Sequence, residues 1–245
     1  MKNKKYFIGC SGWFYWHWRG LFYAAQSQPK EWFKEYCKHF NTVEINASFY
    51  HFPTEKTAKG WLKRAPKEFI YTVKANKAIT HIKKFKGTRR LIKNFYKVVD
   101  VLKENNQLGC VLFQLPPSLH YSKTKLKEIL QQLNPEFKNV IEFRHASWWN
   151  KEVYDEMKKH DAIFCIVSAT EKIPADYVYT SKKAAYFRFH GREWYRYSYS
   201  EEELKQYAEE MKKCKAKEVY AYFNNDFNAF APRNAIRLKQ LLGLP

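Results

Sequence analysis

With 245 residues, 45% hydrophobic content and a formal charge of +20, the chain is long enough for one large core. No apolar run could span a bilayer, and the apolar stretch in "MKNKKYFIGCSG" breaks at Gly9 and Ser11, too early for a signal-peptide core. No Pro/Gly/Ser-rich linker, repeat or C-x-x-C pair interrupts the chain, so one domain over residues 1–245 is expected.

Short β-branched or aromatic runs alternate with helical periodicity. Strands are expected at 5–11, 42–48, 69–75, 108–115, 139–145, 162–168, 184–190 and 218–224. Helices are expected at 29–39, 54–65, 88–104, 123–133, 151–160, 201–214 and 230–242. Pro29 is expected at a first helical position, with Thr54, Ser122 and Ser200 as N-caps. Segment 170–183 contains Pro174 and is the weakest helix candidate, so the sixth crossover is expected to be irregular. The rhythm predicts an α/β fold, a single (β/α)8 TIM-type barrel. A doubly wound open sheet is the alternative, but no G-x-G-x-x-G follows any strand.

Residues two apart on a strand share a face. One parity collects Glu44, Asn46, Lys74, Gln114, Glu142, Arg144, Ser168, Arg188, His190 and Asn224. The other collects Val43, Ile45, Val73, Ala75, Ile141, Phe143, Phe187, Phe189, Ala221 and Phe223, which suits packing against outer helices. The polar set therefore points into the barrel, toward the strand C-termini where barrel enzymes carry their chemistry. Two carboxylates, Glu44 and Glu142, face three cations, Lys74, Arg144 and Arg188, leaving a positive surplus. At an effective dielectric of about 20, one charge at ~4 Å is worth roughly 4 kcal/mol, enough to draw in an anion. The bland alternative is a buried ionic network that only fixes register.

Aromatic loops follow several strands: "GWFYWHWRGLFY" (12–23), "ASWW" (146–149) and "GREWYRYSYS" (191–200). Trp13, Tyr15 and Trp148 are candidate ligand contacts, because aromatic planes stack on bases or sugar rings. The alternative is that such a loop merely lids the barrel, and the first loop would serve equally as either. Lys83, Lys84, Lys86, Arg89 and Arg90 form a basic rim that could meet nucleic acid, with Trp194 and Arg196 as stacking residues. Against that, only 10 of the 44 basic residues are Arg, and lysines spread along helices are ordinary solvating surface.

His145, His190, Glu44, Glu142 and Asp226 could ligate a metal, yet no compact ligand spacing exists and nearby cations oppose a divalent ion. No metal or other cofactor is therefore expected. His190, beside Gly191, is the better general acid or base, with Glu142 or Glu44. The odd, scattered cysteines Cys10, Cys37, Cys110, Cys165 and Cys214 suit reduced thiols in a cytoplasmic protein, with Cys10, Cys110 and Cys165 in the core.

The stretches "IGCSGWFYWHWRGLFY", "FNTVEINASFYHFP", "TVKANKAITH", "LFQLPPS", "IEFRHASW", "FRFHG" and "YFNND" occur in this order along the chain. Together they resemble the YecE-like family, also called domain of unknown function 72. Cys10, Ala47 and His51 depart from the Thr, Ser and Arg that the resemblance suggests. The resemblance implies a TIM-type barrel and supplies no established activity. Its fold is similar to that of endonuclease IV and sugar-isomerase relatives, an analogy of fold alone.

The expected function is metal-independent chemistry (a hydrolase, lyase or isomerase) on a small anionic substrate, phosphorylated or sugar-containing. Lys74, Arg144 and Arg188 would bind the anion; Gln114, Asn46 and Asn224 would orient it. The alternatives are a nucleic-acid-binding protein or endonuclease IV-like metal-dependent nuclease, and a non-catalytic ligand-binding barrel. No membrane partner is expected, and the sequence leaves the oligomeric state open.

Overall fold

The computed structural model describes residues 4–245. In chain order its elements are β1 (Lys5–Cys10), α1 (Trp32–His39), β2 (Thr42–Ile45), α2 (Ala47–Tyr50), α3 (Glu55–Arg64) and β3 (Ile70–Lys74). Then come α4 (Arg89–Glu104), β4 (Leu108–Gln114), α5 (Lys123–Leu130), β5 (Asn139–Glu142), α6 (Lys151–Lys159) and β6 (Ile163–Ser168). The chain ends with β7 (Ala184–Phe189), α7 (Glu201–Lys213), β8 (Glu218–Phe223) and α8 (Phe230–Leu241).

All strand pairs are parallel, in the order β1-β8-β7-β6-β5-β4-β3-β2. This is the expected (β/α)8 barrel, closed except at the seam between β1 and β2, where no ladder forms. A side chain bridges that seam: Tyr36 OH accepts from Cys10 N at 2.8 Å and donates to Thr42 O at 2.9 Å. Gly9 is required beside it, since a Cβ there would lie 2.4 Å from Thr42 O.

Outer helices bury their apolar stripe; α4 does so with Ile92, Phe95, Tyr96, Val99 and Leu102. Thr54 and Ser200 cap α3 and α7 with reciprocal bonds to Thr57 and Glu203, and Ser122 caps α5. Pro29 does not open a helix: α1 starts three residues later at Trp32. The sixth crossover is irregular. It is tied down by Thr180, whose hydroxyl donates to Ala162 O and accepts from Phe164 N. No described helix is long and apolar enough to cross a membrane.

Inside the barrel, Cys110, Leu112, Val140, Ile163, Cys165, Val167, Tyr186, Tyr220 and Tyr222 form one cluster. Its tyrosines find partners: Tyr222 OH bonds Thr42 Oγ1 and Thr72 Oγ1 at 2.6 and 3.0 Å. All five cysteines are free.

Candidate functional site

The polar parity ends at the C-terminal mouth, over a cleft of about 810 Å³. Tyr15, Asn46, Lys74, Gln114, Arg144, Arg188, His190 and Asn224 all line it. β5 leaves its ladder after Glu142, yet Arg144 keeps the inward parity and enters the cleft.

Arg188 is the hub. It is 1% exposed, and gives Nη2 to Glu44 Oε1 at 2.6 Å and Nη1 to Glu142 Oε2 at 2.5 Å. Tyr186 OH donates to the other Glu44 oxygen at 2.5 Å. Glu142 Oε1 meets Arg144 Nε in a close ion pair, although that N–H is not aligned for a hydrogen bond. The same oxygen faces Gln114 Nε2 at 3.3 Å and His190 Nε2 at 3.2 Å. Burial raises the Glu142 pKa, but the Arg144 and Arg188 guanidiniums hold it well below the usual carboxylate range.

His190 lies between cations. Burial and then Arg144 push its pKa down to about 3, so the imidazole is neutral at ordinary pH. Arg144 Nη2 stands 2.9 Å from Nε2. A guanidinium only donates, so Nε2 accepts and the proton sits on Nδ1. Asn224 is 3.1 Å from Nδ1 and must then present its amide oxygen, an assignment that follows from the network.

Lys74 is the exception to this pairing. Its side chain is buried, lines the cleft and places Nζ 4.2 Å from the Phe49 ring centroid. Among the described residues it has no carboxylate in salt-bridge range. Burial and then Arg188 lower its pKa to about 7, against the opposing pull of Glu142 and Glu44. Next to it His81 is pushed down to about 4, by burial and then by Lys74.

The surplus cation expected from the sequence is therefore Lys74, because the two arginines engage both carboxylates. Several expectations need correction. Glu44 is fully buried behind Arg188 and does not line the cleft, so it has no path to a substrate proton. Arg188 anchors the carboxylates rather than standing free for an anion. Trp148 is fully buried, stacked on Phe143 at 4.4 Å and bonded to Leu119 O. Trp13 packs on Phe33 at 4.7 Å, so neither indole reaches the cleft. Ser168 faces outward to Tyr199 OH, since β6 points Cys165 and Val167 inward. His145 stacks on His120 at 3.8 Å, outside the cleft.

Residues the sequence reading left out complete the wall: His17, Phe49, Tyr50, His81, Tyr195, Phe227 and Asn228. His81 closes the stretch "TVKANKAITH" and sits in a wide turn over Ala78–Ile82, where Lys83 N bonds Ala78 O at 3.1 Å. Such i→i+5 turns gather at functional sites, a signal invisible to 3.6-residue periodicity. Trp194 and Asn228 adopt left-handed backbone, φ 54° and 50°. For a bulky Trp that conformation is strained, and it lays the indole 5.0 Å from the Arg144 guanidinium. Asp226 is the cleft's acidic lining residue, paired with His17 at 3.3 Å. Among the described residues no group of three or more His, Cys, Asp or Glu is placed to hold a metal ion.

Residues 7–245 match the family model described as "Protein of unknown function DUF72". A DUF72 family protein from Thermotoga maritima MSB8 superposes with a TM-score of 0.89 at 30% identity, covering 98% of this chain and 99% of that one. Another from Enterococcus faecalis V583 gives 0.83 at 22% identity, with both chains fully covered. In sequence, the UPF0759 protein YunF of Bacillus subtilis (strain 168) is 24% identical, over 97% of this chain and 95% of its own length. A shared barrel and a family-model match over nearly its whole length make this chain a member of the DUF72 family.

Proposed function

We propose that the barrel mouth binds a small anionic substrate, phosphorylated or sugar-containing, and acts on it without a metal. The observation that carries this reading is the uncompensated cation Lys74, buried at the floor of a cleft also lined by Arg144 and Arg196. A desolvated positive charge without a counter-ion is unfavourable, and an entering phosphate or carboxylate relieves it. Arg144 holds the geometry for a second contact, its guanidinium fixed between Glu142, His190 and the Trp194 ring.

The walls suit the rest of such a substrate. Tyr50, Tyr195, Phe227 and Trp194 line the cleft and are 63%, 55%, 42% and 37% exposed, flat faces on which a sugar or base ring can stack. Asn46 Oδ1 has no partner among the described residues, and Gln114 and Asn224 add polar reach. Glu142 acts by holding Arg144 and Arg188, and the neutral His190 is the imidazole that can exchange a proton.

Thermal unfolding against inorganic phosphate, sugar phosphates and small carboxylates tests this. A ligand at ~100 times its dissociation constant stabilises by about 2.7 kcal/mol. Stabilisation by at least one anion, lost in Lys74→Met, is expected; indifference to the whole panel would contradict the reading.

A further inference from the structure

We propose that Lys74 is a nucleophile that captures a carbonyl group of the substrate as an imine, so that the substrate is an anion carrying an aldehyde or ketone. This rests on the anion-binding reading above and adds the reacting group to it.

Four features of the geometry converge. Lys74 ends β3 at the C-terminal mouth, and its side chain lines the cleft. Glu44 and Glu142, the carboxylates that could hold its ammonium, are taken by Arg188, Arg144 and Tyr186. The Phe49 ring covers Nζ on one side, keeping water from it and offering a flat face against which an imine can lie. Arg144 lines the same cleft and can hold the substrate's anionic group beside the amine. A lysine that is desolvated and set among cations is activated as a nucleophile because its lone pair is free near neutrality. The lowered pKa agrees with this, leaving about half the amines unprotonated at pH 7.

The step balances without a co-reactant. The amine lone pair forms a bond to the carbonyl carbon, and the carbonyl π pair moves to oxygen. Both amine hydrogens pass to that oxygen, which departs as water as the C=N bond closes. Nothing is oxidised or reduced. Electron withdrawal by the imine then weakens bonds to the neighbouring carbon, the chemistry shared by lyases and isomerases of this type.

The test uses the wild-type protein with glyoxylate, a small anionic aldehyde, and sodium cyanoborohydride, which reduces an imine to a stable secondary amine. Peptide mass analysis compares Lys74 with exposed lysines such as Lys151, whose ammonium pairs with Asp155. Lys74 is expected to be modified about tenfold faster or more at pH 7, because almost none of an ordinary lysine is free amine there. Its rate should level off above about pH 7, while the Lys151 rate keeps rising. Inorganic phosphate should slow the Lys74 reaction alone. Modification of Lys74 no faster than Lys151 would overturn the proposal, even if phosphate still stabilised the fold and the anion site stood. Fast modification untouched by phosphate would support the nucleophile and count against the anion site.

Discussion

Lys74 Nζ rests 4.2 Å from the centroid of the Phe49 ring, and that aromatic face takes the place of a carboxylate. Arg188, two strands from the barrel seam, has the opposite arrangement, with both terminal nitrogens on carboxylates. Two cations of one cleft are thus built for different tasks. Arg188 fixes the barrel interior, and Lys74 is kept without a counter-ion.

Arg188→Met should unfold the barrel readily. It leaves Glu44 and Glu142 buried with fewer cations, and breaking a buried ion pair costs about 3–5 kcal/mol. Urea denaturation would show it as a lower midpoint. A variant as stable as wild type would mean that the carboxylates can rearrange or protonate cheaply.

Tyr36→Phe tests the seam. Removing the hydroxyl strands Cys10 N–H and Thr42 C=O, which are both buried. Each unsatisfied buried group costs about 1–3 kcal/mol, so a loss of roughly 2 kcal/mol or more is expected. Hydrogen exchange should quicken at β1 and β2 before the other strands. Unchanged protection there would argue that the seam is held by packing alone.

Stability should fall as pH drops below about 6.5. His190 has a folded pKa of about 3, below its unfolded value near 6.5, so within this window the unfolded chain binds the proton and the folded one does not. Folding stability therefore rises with pH between about 3 and 6.5, by up to about 1.4 kcal/mol per pH unit from this residue. Glu142, held low, adds stability above its unfolded pKa that is lost as acid protonates it. Chemical denaturation at pH 5 and 7 would reveal the slope, and His190→Gln should flatten it. A slope unaltered in that variant would assign the acid sensitivity elsewhere.

Much of this was legible in the sequence because a barrel interior repeats every two residues. Glu142 on β5, Arg144 just beyond its end, Lys74 on β3 and Arg188 on β7 all point as their parity requires. Depth was not legible. Glu44 shares the parity but lies beneath Arg188, and only strand stagger sets that level. On β6 both parities are apolar, so pattern alone could not turn Ser168 outward. Trp13 and Trp148 stand in loops, where no period tells an indole that packs from one that lines a site.

The basic rim is separate from the cleft. Lys83, Lys86, Arg89 and Arg90 are exposed and do not line the mouth, while Lys84 bonds Ser118. Any affinity for single-stranded DNA should fall steeply with salt, because phosphate contacts release counterions. Arg89→Ala with Arg90→Ala should weaken it, and Lys74→Met should leave it unchanged. Fluorescence anisotropy at two salt concentrations would report this. Loss of DNA binding in Lys74→Met would instead bring nucleic acid into the mouth.

An anion-binding role for Lys74 is what separates this cleft from a purely structural ion network. Its most direct test is the unfolding free energy of wild type and Lys74→Met at pH 6, each with and without saturating phosphate or sugar phosphate. Without ligand, Lys74→Met should be the more stable protein by about 1 kcal/mol, since a largely desolvated charge with no carboxylate in salt-bridge range among the described residues has been removed. With ligand, wild type should gain about 2.7 kcal/mol at ~100 times the dissociation constant, and the variant should gain nothing. A variant that is less stable than wild type, together with a wild type indifferent to every anion, would make Lys74 a structural residue and leave the cleft without an anion site.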